Sequence, residues 1–371
     1  MFDDKSLKIG YYTNVDLSKS CARTFHVLEV ASRLDNISLV SGTEGEYVEE
    51  FSDFFSREDV ESFKLSSRSY LSIKDKVDAF KFFKNQGVDV LYCRDDLLDF
   101  FPYMAKKFLK VPVIVEINND NRYLMRYQKR KIRFAGPLIE LIQRKNMRAA
   151  DKVVFTCEGL KKRFDFLESD KKEVVGDSAP KKYIEYSDNE KYEQETVCYL
   201  GNLSEFKGVE KIPKLAEILP EVRFLIIGEG HLRENMERYI EDNNIGNVEF
   251  TGRLPRPKAL EKVSRSHISI LPYPKRFKNY FSPFKLFESL AVGTPVVTTP
   301  KGEPQNIVKE TEGGIVVGGF GFDEMAEGIE KVLEDKEKYY QIRENGVKGI
   351  EEEYNWDNKS DKIFGLIEEV K

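Results

Sequence analysis

The 371-residue chain has only four cysteines, Cys21, Cys93, Cys157 and Cys198, with no C-x-x-C pair among them. That scatter excludes a disulfide frame and a cysteine zinc site, and it fits reduced thiols. Long hydrophobic runs are absent too: no window approaches the roughly 18 apolar residues of a membrane span. The opening MFDDKSLKIGYYT is too charged for a signal peptide. A cytoplasmic chain is the expectation. Neither sign of charge dominates, with 59 basic and 64 acidic residues and a net charge of −5, so the chain as a whole is no nucleic-acid binder. Gly228-Glu229-Gly230 lacks the third glycine of a dinucleotide fingerprint, which argues against a nicotinamide enzyme. No internal repeat and no low-complexity segment is present.

What the chain does have is alternation. Short β-rich runs at Leu7–Tyr12, Ile37–Val40, Val88–Tyr92, Val111–Ile117 and Lys152–Thr156 are separated by helical stretches such as Cys21–Leu34. The pattern restarts at Thr196–Leu200, Arg223–Ile227, Asn247–Thr251, Ile268–Pro272, Val296–Thr298 and Gly314–Val317. This predicts an α/β protein of parallel sheets, two Rossmann-like domains facing across a cleft. The polar, aperiodic stretch from Lys181 to Gln194 reads as a linker or surface loop between domains, giving domains at 1–190 and 191–355. Ligands of such sheets bind beyond the carboxyl ends of the strands, so the loops there carry the candidate site.

Those loops hold Gly201-Asn202-Leu203-Ser204-Glu205-Phe206-Lys207-Gly208, then Gly228-Glu229-Gly230, then Gly252-Arg253-Leu254. The last runs from Pro272 through Tyr280 and Phe281 into Ser282. Ser282 reads as an N-cap, Pro283 as the first helical residue and Gly293 as the C-terminal stop. Phe284 and Lys285 would offer free N–H groups at the positive end of that helix, with the Lys285 and Lys207 ammoniums nearby, a setting for a diphosphate. Glu288, one turn on, would accept from the paired hydroxyls of a ribose. Taken singly, Lys285 reads as a solvated side chain and Glu288 as a surface or ion-pair residue. The ordered set of loops points instead to a nucleoside diphosphate.

YLGNLSEFKG, FLIIGEGHLRENM, NVEFTGRLPR, ISILPYP and SPFKLFESLAVGTPVVTT resemble, in that order, the family-4 (group 1) retaining glycosyltransferases of GT-B architecture. EEEYNWDNKSDKIFGLI resembles the family's terminal Trp segment, whose last helix, here 356–371, returns to the first domain. The likeness covers essentially residues 196–371. It is weaker in DVLYCR, VPVIVEINND and AADKVVFTCEGLKKRF. It implies sugar transfer from a UDP- or GDP-sugar with retention of configuration, the donor bound by Gly201, Asn202, Lys207, Gly228, Gly230, Arg253, Leu254, the 280–285 run and Glu288. Lys207, Lys285 and Glu288 would serve catalysis. Asn14, His26, Asn118 and Asn119 would lie on the acceptor side. No Asp-x-Asp triplet occurs, so no metal and no cofactor are expected. The family's common arginine is replaced by Asn202, its first glutamate of E-x7-E by Tyr280, and its histidine is replaced within Ile117-Asn118-Asn119. An inactive sugar-nucleotide or glycan-binding module and a sugar-nucleotide epimerase therefore remain alternatives.

Residues 121–150 carry nine Arg or Lys and one acid, Glu140. Interleaved with aromatic and aliphatic residues, they read either as a peripheral contact with anionic lipid on the inner membrane face or as a solvated helix face. The first gives a lipid-linked or cell-envelope glycan as acceptor.

Overall fold

The computed structural model describes residues 7–66, 72–123, 135–276, 278, 280 and 282–371. The chain forms two compact units, Met1–Gly176 together with Asp357–Lys371, and Asp177–Trp356.

The first unit is built on a seven-stranded sheet: β1 (Ile9–Tyr12), β2 (Ile37–Ser41), β3 (Val60–Lys64), β4 (Val90–Arg94), β5 (Val113–Ile117), β6 (Lys152–Phe155) and β7 (Lys172–Val174). Their spatial order is β3-β2-β1-β4-β5-β6-β7, and every pairing is parallel. Strands β1, β2, β4, β5 and β6 are buried along their whole length. Helices cover both faces of such a sheet, so its strands read as apolar runs without alternation. The two edge strands, VESFK and KEV, are half-exposed or exposed. They lack that signature and went unread in the sequence.

The second unit has β8 (Thr196–Leu200), β9 (Arg223–Ile227), β10 (Val248–Gly252), β11 (Ile268–Leu271), β12 (Val296–Thr298) and β13 (Gly314–Val316), in the order β10-β9-β8-β11-β12-β13. All are parallel. One face packs Val197, Tyr199, Phe224, Ile226 and Ile270 with the Ile212–Ile218 and Phe322–Leu333 helices. The other packs Cys198, Leu225, Ile227 and Leu271 with the Arg256–Arg265 and Phe284–Ala291 helices. Both units are thus doubly wound and Rossmann-like.

The stretch expected as a linker is structured. Lys181–Asp188 forms a 3-10 helix whose Tyr183 enters the same apolar cluster as Leu286 and Leu290. The first unit accordingly ends at Gly176. Tyr183, Ile184 and Tyr186 supply enough apolar surface to dock the segment, which its polar composition conceals.

Candidate active site

In the second unit the sheet order reverses between β8 and β11, the topological switch point at which doubly wound sheets bind ligands. The loops after β8, β9 and β10 are laced together by backbone bonds, Gly201 N–H to Ile227 O at 2.8 Å, Leu203 N–H to Glu229 O at 3.0 Å and Gly228 N–H to Gly252 O at 3.0 Å. Gly228 has φ +140° and a Cβ there would lie 2.0 Å from Gly201 O; one on Gly230 would lie 2.3 Å from Leu203 O. These two glycines let one loop lie against the next.

Gly201 serves a side chain instead. A Cβ there would fall 2.7 Å from Lys285 Nζ. The Lys285 ammonium rests on the face of Tyr199, 3.8 Å from the ring centroid. It is buried and meets no hydrogen-bond partner among the described residues. Burial drives its pKa well below the usual lysine value, and neighbouring Lys207 drives it further. The Tyr199 hydroxyl donates to Asn202 O at 2.9 Å, holding the loop. Lys207 Nζ lies 5.6 Å from the Tyr273 ring centroid, and burial lowers its pKa to about 8. Two lysines in one desolvated place, with one ammonium unbonded, is an arrangement that an anion would relieve.

The helix bearing Lys285 runs Phe284–Ala291, one residue later than expected at its start. Ser282 is not its cap. Pro283, in extended conformation, holds the cap position, while Ser282 Oγ accepts from Asp177 N–H at 3.3 Å. Gly293 ends the helix as expected, with φ +65°.

Glu288 is 2% exposed and its Oε1 forms an ion pair with Arg256 Nη2. The ion-pair reading of this residue therefore holds, with a partner that sequence reasoning missed. Nothing local in the sequence couples the first residue of one helix to the middle of another. Asn202 and Arg253 are exposed, and Leu254 packs on the core beneath. Tyr280 is partly buried with Lys278 Nζ 5.8 Å from its ring centroid. Phe284 sits 6.1 Å from Trp356 between ring centroids. Phe281 lies outside the described residues. Tyr199 and Tyr273 were also missed, because a strand tyrosine reads as core.

In the first unit the order reverses at β1 and β4. There Glu116, at the end of β5, gathers His26 Nε2 at 2.8 Å, Tyr92 OH at 2.6 Å, Arg94 Nη1 at 3.2 Å and Asn118 Nδ2 at 2.5 Å. Burial pushes this carboxyl up, but His26, Arg94 and Tyr92 outweigh it and hold the group well below the usual range. Asn14 donates its N–H to Asp96 Oδ2 at 2.9 Å and its amide to Asp99. Asn119 contributes its carbonyl oxygen, accepting from Gln143 at 3.0 Å. So His26 and Asn118 come together on Glu116, whereas Asn14 and Asn119 turn to other partners.

The basic segment lies partly outside the described residues, at 124–134. Of its described members, Arg122 and Arg144 pair with Glu140, and Arg144 and Arg148 lie over the Phe166 ring. No described helix is long and apolar enough to cross a membrane.

Residues 182–349 match the family model for glycosyl transferases group 1. The chain resembles the group 1 glycosyltransferases. Among curated relatives, the alpha-D-kanosaminyltransferase of Streptomyces kanamyceticus is 23% identical over 73% of this chain and 74% of its own. Among solved structures, sucrose-phosphate synthase from Thermosynechococcus elongatus has a TM-score of 0.77 at 14% identity, covering 98% of both chains. Anabaena Alr3699/HepE in complex with UDP and glucose has a TM-score of 0.76 at 14% identity, over 98% of this chain and all of that one. The chain thus shares the GT-B fold of these structures, with two Rossmann-like units.

Proposed function

We propose that the chain transfers a sugar, with retention of configuration, from a UDP- or GDP-sugar to a lipid-linked or cell-envelope glycan. The buried Lys285 ammonium, without a hydrogen-bond partner among the described residues, carries this reading. A nucleotide diphosphate is the anion that fits beside it, with Lys207 as the second cation. As the glycosidic bond breaks, negative charge grows on the departing diphosphate. Preorganised ammoniums stabilise that change without any metal, each contributing roughly 3 kcal/mol. Glu288 receives the ribose hydroxyls one turn further along the helix. The complex of HepE with UDP and glucose supports a UDP-sugar among the candidate donors. Residues 121–150 support a membrane-borne acceptor through their charge. The first unit, with His26 and Asn118 gathered on Glu116, takes the acceptor side.

The test is a panel of UDP-, GDP- and ADP-sugars, followed for binding, donor hydrolysis and transfer. One donor should bind and turn over. Tight binding without turnover would leave a sugar-nucleotide-binding module, and an epimerised donor without transfer would make the chain an epimerase.

A further inference from the structure

We infer that Arg256 is a positioning residue of the nucleotide site, fixing the Glu288 carboxylate for the ribose hydroxyls and so setting the preference for ribose over deoxyribose. The inference rests on the ribose reading of Glu288 and adds the residue that makes it work. Arg256 is delivered by the loop after β10, Gly252-Arg253-Leu254-Pro255, and opens the Arg256–Arg265 helix. Its side chain is 16% exposed and reaches a carboxylate that is 2% exposed on the neighbouring helix. A carboxylate so removed from water needs a cation partner to stay charged. Only an ionised carboxylate offers both oxygens as acceptors to a pair of hydroxyls. The permanently charged guanidinium meets Oε1 through Nη2 and keeps a cation against the buried carboxylate.

A bland alternative is that the pair merely glues two helices together. The structure already supplies that glue elsewhere. Lys191 Nζ donates to Ser264 O at 2.7 Å, Ser266 O at 2.9 Å and Gly293 O at 3.1 Å, tying the carboxyl ends of both helices. Thr294 Oγ1 donates to Val263 O at 2.8 Å. Ala259, Leu260 and Val263 share one apolar cluster with Leu286, Phe287 and Leu290. Buried ion pairs are moreover poor stabilisers compared with apolar packing. A costly pair kept beside a docked apolar seam is better explained by what its carboxylate must do.

The experiment measures calorimetric affinity for UDP and 2′,3′-dideoxy-UDP, or the matching pair for whichever base the donor panel selects. The wild type should favour the ribonucleotide by roughly tenfold or more, the scale of charge-assisted hydroxyl bonds. Arg256→Met should lose about that factor for the ribonucleotide and nothing for the dideoxynucleotide, bringing the ratio to about one. Arg256→Gln, which keeps hydrogen-bond donors without the charge, should also lose the preference. It carries the test if the Met variant does not fold. A folded variant that keeps the wild-type ratio overturns the inference while leaving the ribose reading intact. A wild type without any preference overturns both, and it points to Glu288 as the source of the failure. A variant that weakens both nucleotides equally reduces Arg256 to a structural residue.

Discussion

At the scale of single residues, the two lysines are held at a cost to the empty protein. Lys285 is desolvated, rests on the Tyr199 ring, and lies near a second cation. Sites built for a ligand commonly carry such cost. Lys285→Met, which keeps the stem and removes the charge, should therefore raise the melting temperature of the ligand-free protein while lowering turnover roughly 100-fold. A variant that is both less stable and fully active would remove the lysine from the diphosphate site. Lys207 makes a prediction in pH. Its folded pKa of about 8 lies below that of an unfolded lysine, about 10.4, so the unfolded chain binds more protons between those values. Stability should rise with pH across that window, as the buried charge is relieved. Diphosphate affinity should do the opposite above about pH 8, falling as the Lys207 ammonium is lost, by roughly tenfold at pH 9. Calorimetry of nucleotide diphosphate binding against pH checks this, and Lys207→Met should erase the break near pH 8. An identical break in the variant would assign the titration elsewhere. Both lysines were legible as residues of a strand-end loop and a helix start. Arg256 was not, because its partnership with Glu288 exists only once two helices have packed.

At the scale of elements, legibility followed burial in the first sheet and loop chemistry in the second, whose half-exposed edge strands β10 and β13 were read all the same. All six strands of the second sheet and its main helices were readable, because β-branched runs end in glycine-rich loops. The edge strands VESFK and KEV were not, since half-exposed strands mix polar and apolar residues without a rule. The Lys181–Asp188 3-10 helix was missed for a related reason: three aromatic or aliphatic side chains dock it, and their spacing has no helical period. The loops themselves are fixed by backbone geometry that the sequence marks only as glycine. Gly228 combines a φ of +140° with a Cβ position 2.0 Å from Gly201 O. Gly228→Ala should cost at least about 2 kcal/mol and displace the loop that shelters Lys285. Gly246, in the loop before β10 with nothing within 4 Å of its Cβ position, is the control. Gly246→Ala should change stability by no more than about 0.5 kcal/mol. Denaturant unfolding of the pair decides it, and equal effects would mean that the loop packing matters less than its geometry suggests.

For the whole molecule, the last prediction concerns how a chain of two units is closed. Residues 357–371 follow the second unit in sequence yet belong to the first. The Trp356–Val370 helix buries Ile363, Leu366 and Ile367, and it is pinned by Asp357 to Arg33 and by Glu369 to Lys152. The exposed ion pairs add little, but three buried aliphatic side chains contribute about 2 kcal/mol each. Ending the chain after Trp356 should thus withdraw roughly 6 kcal/mol from the first unit, a large share of what holds a domain of this size. The second unit, whose sheet and two apolar clusters lie within Asp177–Trp356, should keep its own fold. Hydrogen exchange resolved by peptide checks this directly. In the truncated chain, β1, β4 and β5 should exchange much faster, while β8, β9 and β11 retain near-native protection. Nucleotide diphosphate binding should survive, since Lys207, Lys285, Arg256 and Glu288 all lie in the second unit, whereas sugar transfer should be lost along with the Glu116 cluster. Uniform loss of protection across both sheets would show instead that the two units fold as one cooperative body, and that the terminal helix is a strut for the entire chain.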